Sequence, residues 1–65
     1  MSPKISYTCI IFFQPEAGIK PRKYRNVNCL LRFEKFVTRM GGKYYNVYNK
    51  STRGFIERVY IKKAG

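Results

Sequence analysis

The sequence predicts an α+β fold: a twisted antiparallel sheet of three or four strands with one helix packed on a single face. The order is strand, possible short strand, helix, strand, strand. Three observations predict it. Apolar residues alternate with period two near the start of the chain. They recur with helical period in the middle. Two alternating runs flank a polar turn towards the end. Sixty-five residues form at most one domain, residues 1–65.

From Ile5 to Phe13, Ile5, Tyr7, Cys9, Ile11 and Phe13 share one parity, while Ser6, Thr8, Ile10 and Phe12 share the other. One face of this strand is therefore fully apolar, and the other becomes apolar towards Phe12. Pro15, Gly18 and Pro21 then mark a loop from Gln14 to Pro21. The basic stretch Arg22–Val27 suits either a short edge strand or a loop, since alternating charge and a preceding Pro are both tolerated at an unpaired edge.

Asn28 is placed to cap a helix through its side-chain oxygen. Between Cys29 and Met40, Leu30, Phe33, Val37 and Met40 form an apolar stripe, widened by Cys29 and Phe36. Arg32, Lys35 and Arg39 lie opposite it. Gly41-Gly42 ends the helix, because glycine tolerates the left-handed conformation of a C-cap.

Lys43–Asn49 and Phe55–Lys63 form a hairpin across the polar turn 50–54. Tyr45 and Val47 should meet the helix, together with Phe55, Val59 and Ile61. Glu57 falls on that same buried parity. It must sit at the sheet margin, follow a bulge, or reveal an inverted face assignment.

Composition narrows the function classes. There is no His, and Glu16, Glu34 and Glu57 are far apart in sequence, so acid–base catalysis lacks its usual groups. Cys9 and Cys29 have no His to activate them or to complete a metal site. Neither an enzyme nor a cofactor or metal is expected. The longest apolar run, Cys9 to Phe13, is too short for a signal-peptide core or a membrane span. The expectation is a cytoplasmic protein with buried thiols, a Cys9–Cys29 disulfide being the alternative. The amphipathic helix could lie on a membrane surface, but its stripe is more simply core, and no membrane partner is expected.

The formal net charge is +11, from fourteen Lys and Arg against three Glu. Residues 1–19 carry one Lys and one Glu and sum to zero, so the whole excess lies in residues 20–65. Such a field attracts polyanions. Five phosphate contacts would give a salt slope of about −4.5 on duplex DNA. The outer sheet face should carry Tyr44, Asn46, Tyr48, Arg58, Tyr60 and Lys62, where rings stack on bases and Asn46 reaches a base edge. Tyr is also simply a good strand former, and an inverted register would expose Tyr45 instead.

The stretch from Gly42 through Tyr44, Tyr45 and Tyr48 to the Gly54 turn and Phe55–Tyr60 resembles the sheet hairpin of integrase arm-type DNA-binding domains. That resemblance spans residues 42–60 and implies a sheet face laid on DNA, although here the helix precedes the hairpin. In size, charge and lack of catalytic groups the chain also resembles small early proteins of bacteriophages. The expected partner is nucleic acid, DNA ahead of RNA. Arg22, Lys23, Arg25, Arg53, Arg58, Lys62 and Lys63 are the phosphate candidates, with Tyr44, Tyr48 and Tyr60 for bases. The alternative is an inhibitor or adaptor that docks on an acidic protein surface, its exposed Tyr and Arg anchoring the contact.

Overall fold

A computed structural model describes residues 6–62, so Ile5 and the phosphate candidate Lys63 lie outside the described residues. The chain runs β1 (Tyr7–Phe13), a one-turn 3-10 helix (Pro15–Ala17), β2 (Arg22–Val27), α1 (Leu30–Met40), β3 (Gly42–Asn49) and β4 (Phe55–Tyr60). The four strands form one antiparallel sheet in the order β2-β1-β3-β4. The α+β expectation with a four-stranded sheet holds, and the helix sits between the second and third strands in sequence.

Each element follows from its local chemistry. The period-two run of β1 places Cys9 and Ile11 on the helix side, both fully buried. The basic stretch after Pro21 resolves as an edge strand rather than a loop. It pairs only with β1, and its charged and polar side chains Arg22, Lys23, Arg25 and Asn26 stay wet without cost. Asn26 in this strand has φ 64, and the register with β1 shifts there, from Tyr7 opposite Val27 to Cys9 opposite Tyr24. Asparagine tolerates this left-handed conformation better than most residues, so it suits the extra position of a bulge.

The helix begins one residue later than expected. Its N-cap is Cys29, with no side-chain cap bond, and Asn28 instead accepts a hydrogen bond from the Ser6 hydroxyl at 3.0 Å. The register of the sheet draws Asn28 towards the start of β1, and the extended backbone at Cys29 takes the cap position. At the other end, Gly41 has φ 79 and its N–H bonds back to Thr38 O at 3.2 Å. Phe33 and Val37 are buried, with Leu30 and Met40 half-buried beside them. Phe36 is less enclosed than the stripe predicts. It is 39% exposed and meets Tyr24 edge-on at the rim.

The core is small. Cys9, Ile11, Phe33, Val37, Tyr45 and Val47 make up its buried apolar part, with Tyr24 closing it at the β2 side through an edge contact with Phe33 at 5.6 Å. Gly42 lies beneath the helix end. A Cβ built there would stand 2.5 Å from Val37 Cγ1 and 3.0 Å from Ile11 Cγ2, so glycine permits the helix to approach the sheet.

The hairpin differs from the simple alternation at one point. Val47 pairs with Glu57, but Tyr48 pairs with Phe55, so Ile56 is the extra residue of a bulge. Phe55 therefore leaves the core parity and lies on the outer face, 58% exposed. Glu57 keeps the helix-side parity on the edge strand, where it is exposed at the sheet margin.

Candidate functional site: the open face of the sheet

The helix covers one face of the sheet. The other face is open, and pleating sends alternate residues of all four strands to it. Cross-strand pairing arranges them in three rows. Phe12, Tyr44 and Tyr60 form the first, at the end nearest the helix C-terminus. Lys23, Ile10, Asn46 and Arg58 form the second. Thr8, Tyr48 and Phe55 form the third, nearest the β3–β4 turn.

The first row is an aromatic stack. Phe12 and Tyr44 lie face to face with centroids 4.8 Å apart and planes 19° from parallel. Tyr60 follows at 5.3 Å from Tyr44 and is 60% exposed. In the second row the Arg58 guanidinium carbon sits 4.9 Å from the Tyr44 ring centroid, a cation–π distance. Arg58 Nε donates to Asn46 Oδ1 at 2.9 Å, and Asn46 Nδ2 donates to the Tyr48 hydroxyl at 3.3 Å. In the third row Tyr48 meets Phe55 edge-on at 5.6 Å.

Beside these rings is a basic cleft of about 560 Å³. Lys23 and Arg25 of β2 line one wall, Lys50 and Arg53 of the turn line another, and Thr8, Ile10, Tyr48 and Asn49 complete it. The turn is built to hold its cations in place. Asn49 Oδ1 accepts from the N–H groups of Ser51 and Thr52, at 2.8 and 3.0 Å. Arg53 adopts φ 64, a left-handed conformation that costs a non-glycine residue stability, and its N–H bonds to Asn49 O at 2.7 Å. Lys50 reaches back over β1 to the Asn26 side chain.

The residues singled out in the sequence thus divide. Lys23, Arg25, Arg53, Arg58, Tyr44, Tyr48 and Tyr60 share the open face. Arg22 does not join them, because it pairs with Ile11 on the helix-side parity. Lys62 is exposed just past the end of β4. Asn46 is 5% exposed and engaged by Arg58 and Tyr48, so it braces the face and offers nothing to a base edge. Tyr44 likewise has Phe12 on one side and Arg58 over its ring, so in that row Tyr60 is the ring with room for a neighbour. The face also holds Lys50, Phe12 and Phe55, which the sequence does not single out. Phe12 was legible in its parity with Thr8 and Ile10, whereas Phe55 depends on the bulge and Lys50 on the turn geometry.

The three Glu residues stand elsewhere: Glu16 in the 3-10 turn, Glu34 on the helix and Glu57 on the opposite parity. The open face therefore carries five cations and no carboxylate among the described residues. Both thiols are free; Cys9 is buried as expected, whereas Cys29 stands exposed at the N-cap of α1 and does not widen the apolar stripe. Among the described residues, no cluster of three or more His, Cys, Asp or Glu side chains occurs and no helix is long and apolar enough to cross a membrane. No family model, curated protein or solved structure matches the chain.

Proposed function

We propose that this chain is a non-enzymatic nucleic-acid-binding domain that engages its ligand through the open face of the sheet. One observation carries the reading. A face left uncovered by the helix combines exposed aromatic rings with five cations and, among the described residues, no carboxylate. Rings and cations together match what a nucleic acid offers, which is flat bases on an anionic backbone. Lys23, Arg25, Lys50 and Arg53 take phosphates, Arg58 adds charge over the ring stack, and Tyr60, Tyr48 and Phe55 meet bases or sugars. DNA stands ahead of RNA as the first ligand to test.

Charge reversal distinguishes this face from net charge alone. The double variant Arg25→Glu, Arg53→Glu should lose binding to labelled DNA and RNA in anisotropy titrations. The double variant Lys35→Glu, Arg39→Glu changes net charge by the same amount on the helix face and should bind nearly as the parent does. Equal losses from the two pairs would overturn the reading. So would a flat response of the parent to salt, because four phosphate contacts imply a slope of about −3.6 on duplex DNA. The rival partner is an acidic protein surface, which would give capture that survives nuclease treatment and leaves nucleic acid unbound.

A further inference from the structure

The open face also discriminates between forms of nucleic acid. We propose that its ligand is single-stranded, with unpaired bases stacked on Tyr60 and Phe55 and phosphates drawn into the Lys23–Arg25–Lys50–Arg53 cleft. This rests on the nucleic-acid reading of the same face.

Width is the first reason. Four strands about 4.8 Å apart put the outer strands about 14 Å from each other before any side chain is added. The major groove of B-form DNA is about 12 Å wide and admits a helix or a two-stranded ribbon. The whole face, with its rings on β4 and its cleft between β2 and the turn, cannot enter that groove.

The rings are the second reason. Tyr60 and Phe55 are more than half exposed and end the two ring groups, one beyond Tyr44 and the other against Tyr48. An aromatic ring adds to a base only where the base face is free, and in a duplex each face is covered by the next pair. Arg58 stands between the two on β4, where it can follow the strand linking two stacked bases.

The third reason is the separation of the two exposed rings from the β2 cations. Tyr60 and Phe55 stand on β4, whereas Lys23 and Arg25 stand on β2, with β1 and β3 between them. Bases and phosphates can be parted by this distance in a splayed single strand, whose backbone is free to turn. The fixed radius of a duplex holds its phosphates outside its bases and offers no such path.

The test uses the full chain and fluorescein-labelled oligonucleotides of one length and sequence: single-stranded DNA, single-stranded RNA and blunt duplex DNA. Single strands should bind at least about tenfold more tightly than the duplex, with a salt slope of about −2.8 for four phosphates. Tyr60→Ala should weaken single-strand binding by about 5- to 150-fold, the span for loss of one stacked base, and Tyr60→Phe should retain it. Phe55→Ala is the second probe of the same kind, and circular dichroism checks that each variant keeps its fold. Since the chain has no Trp, quenching of tyrosine emission in the parent by the single strand, reduced in Tyr60→Phe, gives an independent readout. A duplex bound as tightly as the single strands overturns the strand preference and leaves the nucleic-acid reading standing. Unchanged single-strand affinity in both folded alanine variants overturns the stacking on Tyr60 and Phe55 and likewise leaves the nucleic-acid reading standing. If none of the three probes binds, the underlying reading falls with it.

Discussion

Gly42 shows how one missing methyl group sets the layer spacing. The position is buried where α1 turns into β3, and the space a Cβ would need is already held by Val37 Cγ1 at 2.5 Å and Ile11 Cγ2 at 3.0 Å. Both neighbours are fully buried and β-branched, so neither can swing away cheaply. Gly42→Ala should cost about 1 to 3 kcal/mol, the usual range for overpacking, read as a lower urea midpoint with an unchanged slope. An unaltered midpoint would mean that helix and sheet can separate freely. From the sequence alone Gly42 was legible as part of a helix stop, because Gly-Gly after an apolar stripe is a strong local signal. Its contact with Ile11 was not, since that depends on β1 and β3 lying side by side.

Among the elements, α1 begins without a side-chain cap. Cys29 has the extended backbone of an N-cap, φ −128 and ψ 110, but makes no side-chain cap bond, and the first turn holds no acidic residue. Cys29→Asp would supply an acceptor for an unpaired first-turn N–H and a negative charge at the positive end of the helix dipole. It should raise stability by about 1 kcal/mol, seen as a higher melting temperature, and Cys29→Ala should show no such gain. A loss in the aspartate variant would show that the cap geometry is not available. The sequence placed this cap at Asn28 because asparagine is the better capping residue, and only the Ser6 contact explains why it is used elsewhere. The hairpin teaches a similar lesson. Alternation assigns Tyr45 and Val47 to the core, where they are, and assigns Phe55 there by the same rule, where it is not. Alternation is reliable within an unbroken ladder, and a one-residue bulge at Ile56 inverts it beyond that point. The open face was therefore visible in outline from Tyr44, Tyr48 and Tyr60, but its second exposed ring was hidden by the bulge.

At the scale of the whole molecule, a six-residue buried apolar cluster must hold a four-stranded sheet together. Two of those six are weak acids that the fold keeps neutral, which ties stability to alkaline pH. Burial pushes the Cys9 thiol from its ordinary value of 9.0 up to about 11. Burial first, then the nearby Glu34, Cys9 and Glu57, pushes the Tyr45 phenol from 10.0 up to about 12. In both cases the unfolded chain releases its proton at a lower pH than the folded one. Below about pH 9 both states are protonated and the full stability is present. As pH rises, the unfolded state is favoured progressively by Cys9 between 9 and 11, and by Tyr45 between 10 and 12. Lysine deprotonation acts over the same range and relieves self-repulsion in this strongly basic chain, so the raw pH profile mixes opposing effects. Comparison with Tyr45→Phe separates them, because that variant keeps every lysine and lacks only the phenol. Urea midpoints of the two proteins, measured stepwise from pH 8 to pH 12, should run parallel up to about pH 10 and then diverge, with the parent falling faster. Curves that stay parallel to pH 12 would show that Tyr45 ionises as readily in the folded chain as in the unfolded one. The ring would then be in contact with water, and the helix would not seal the sheet at β3.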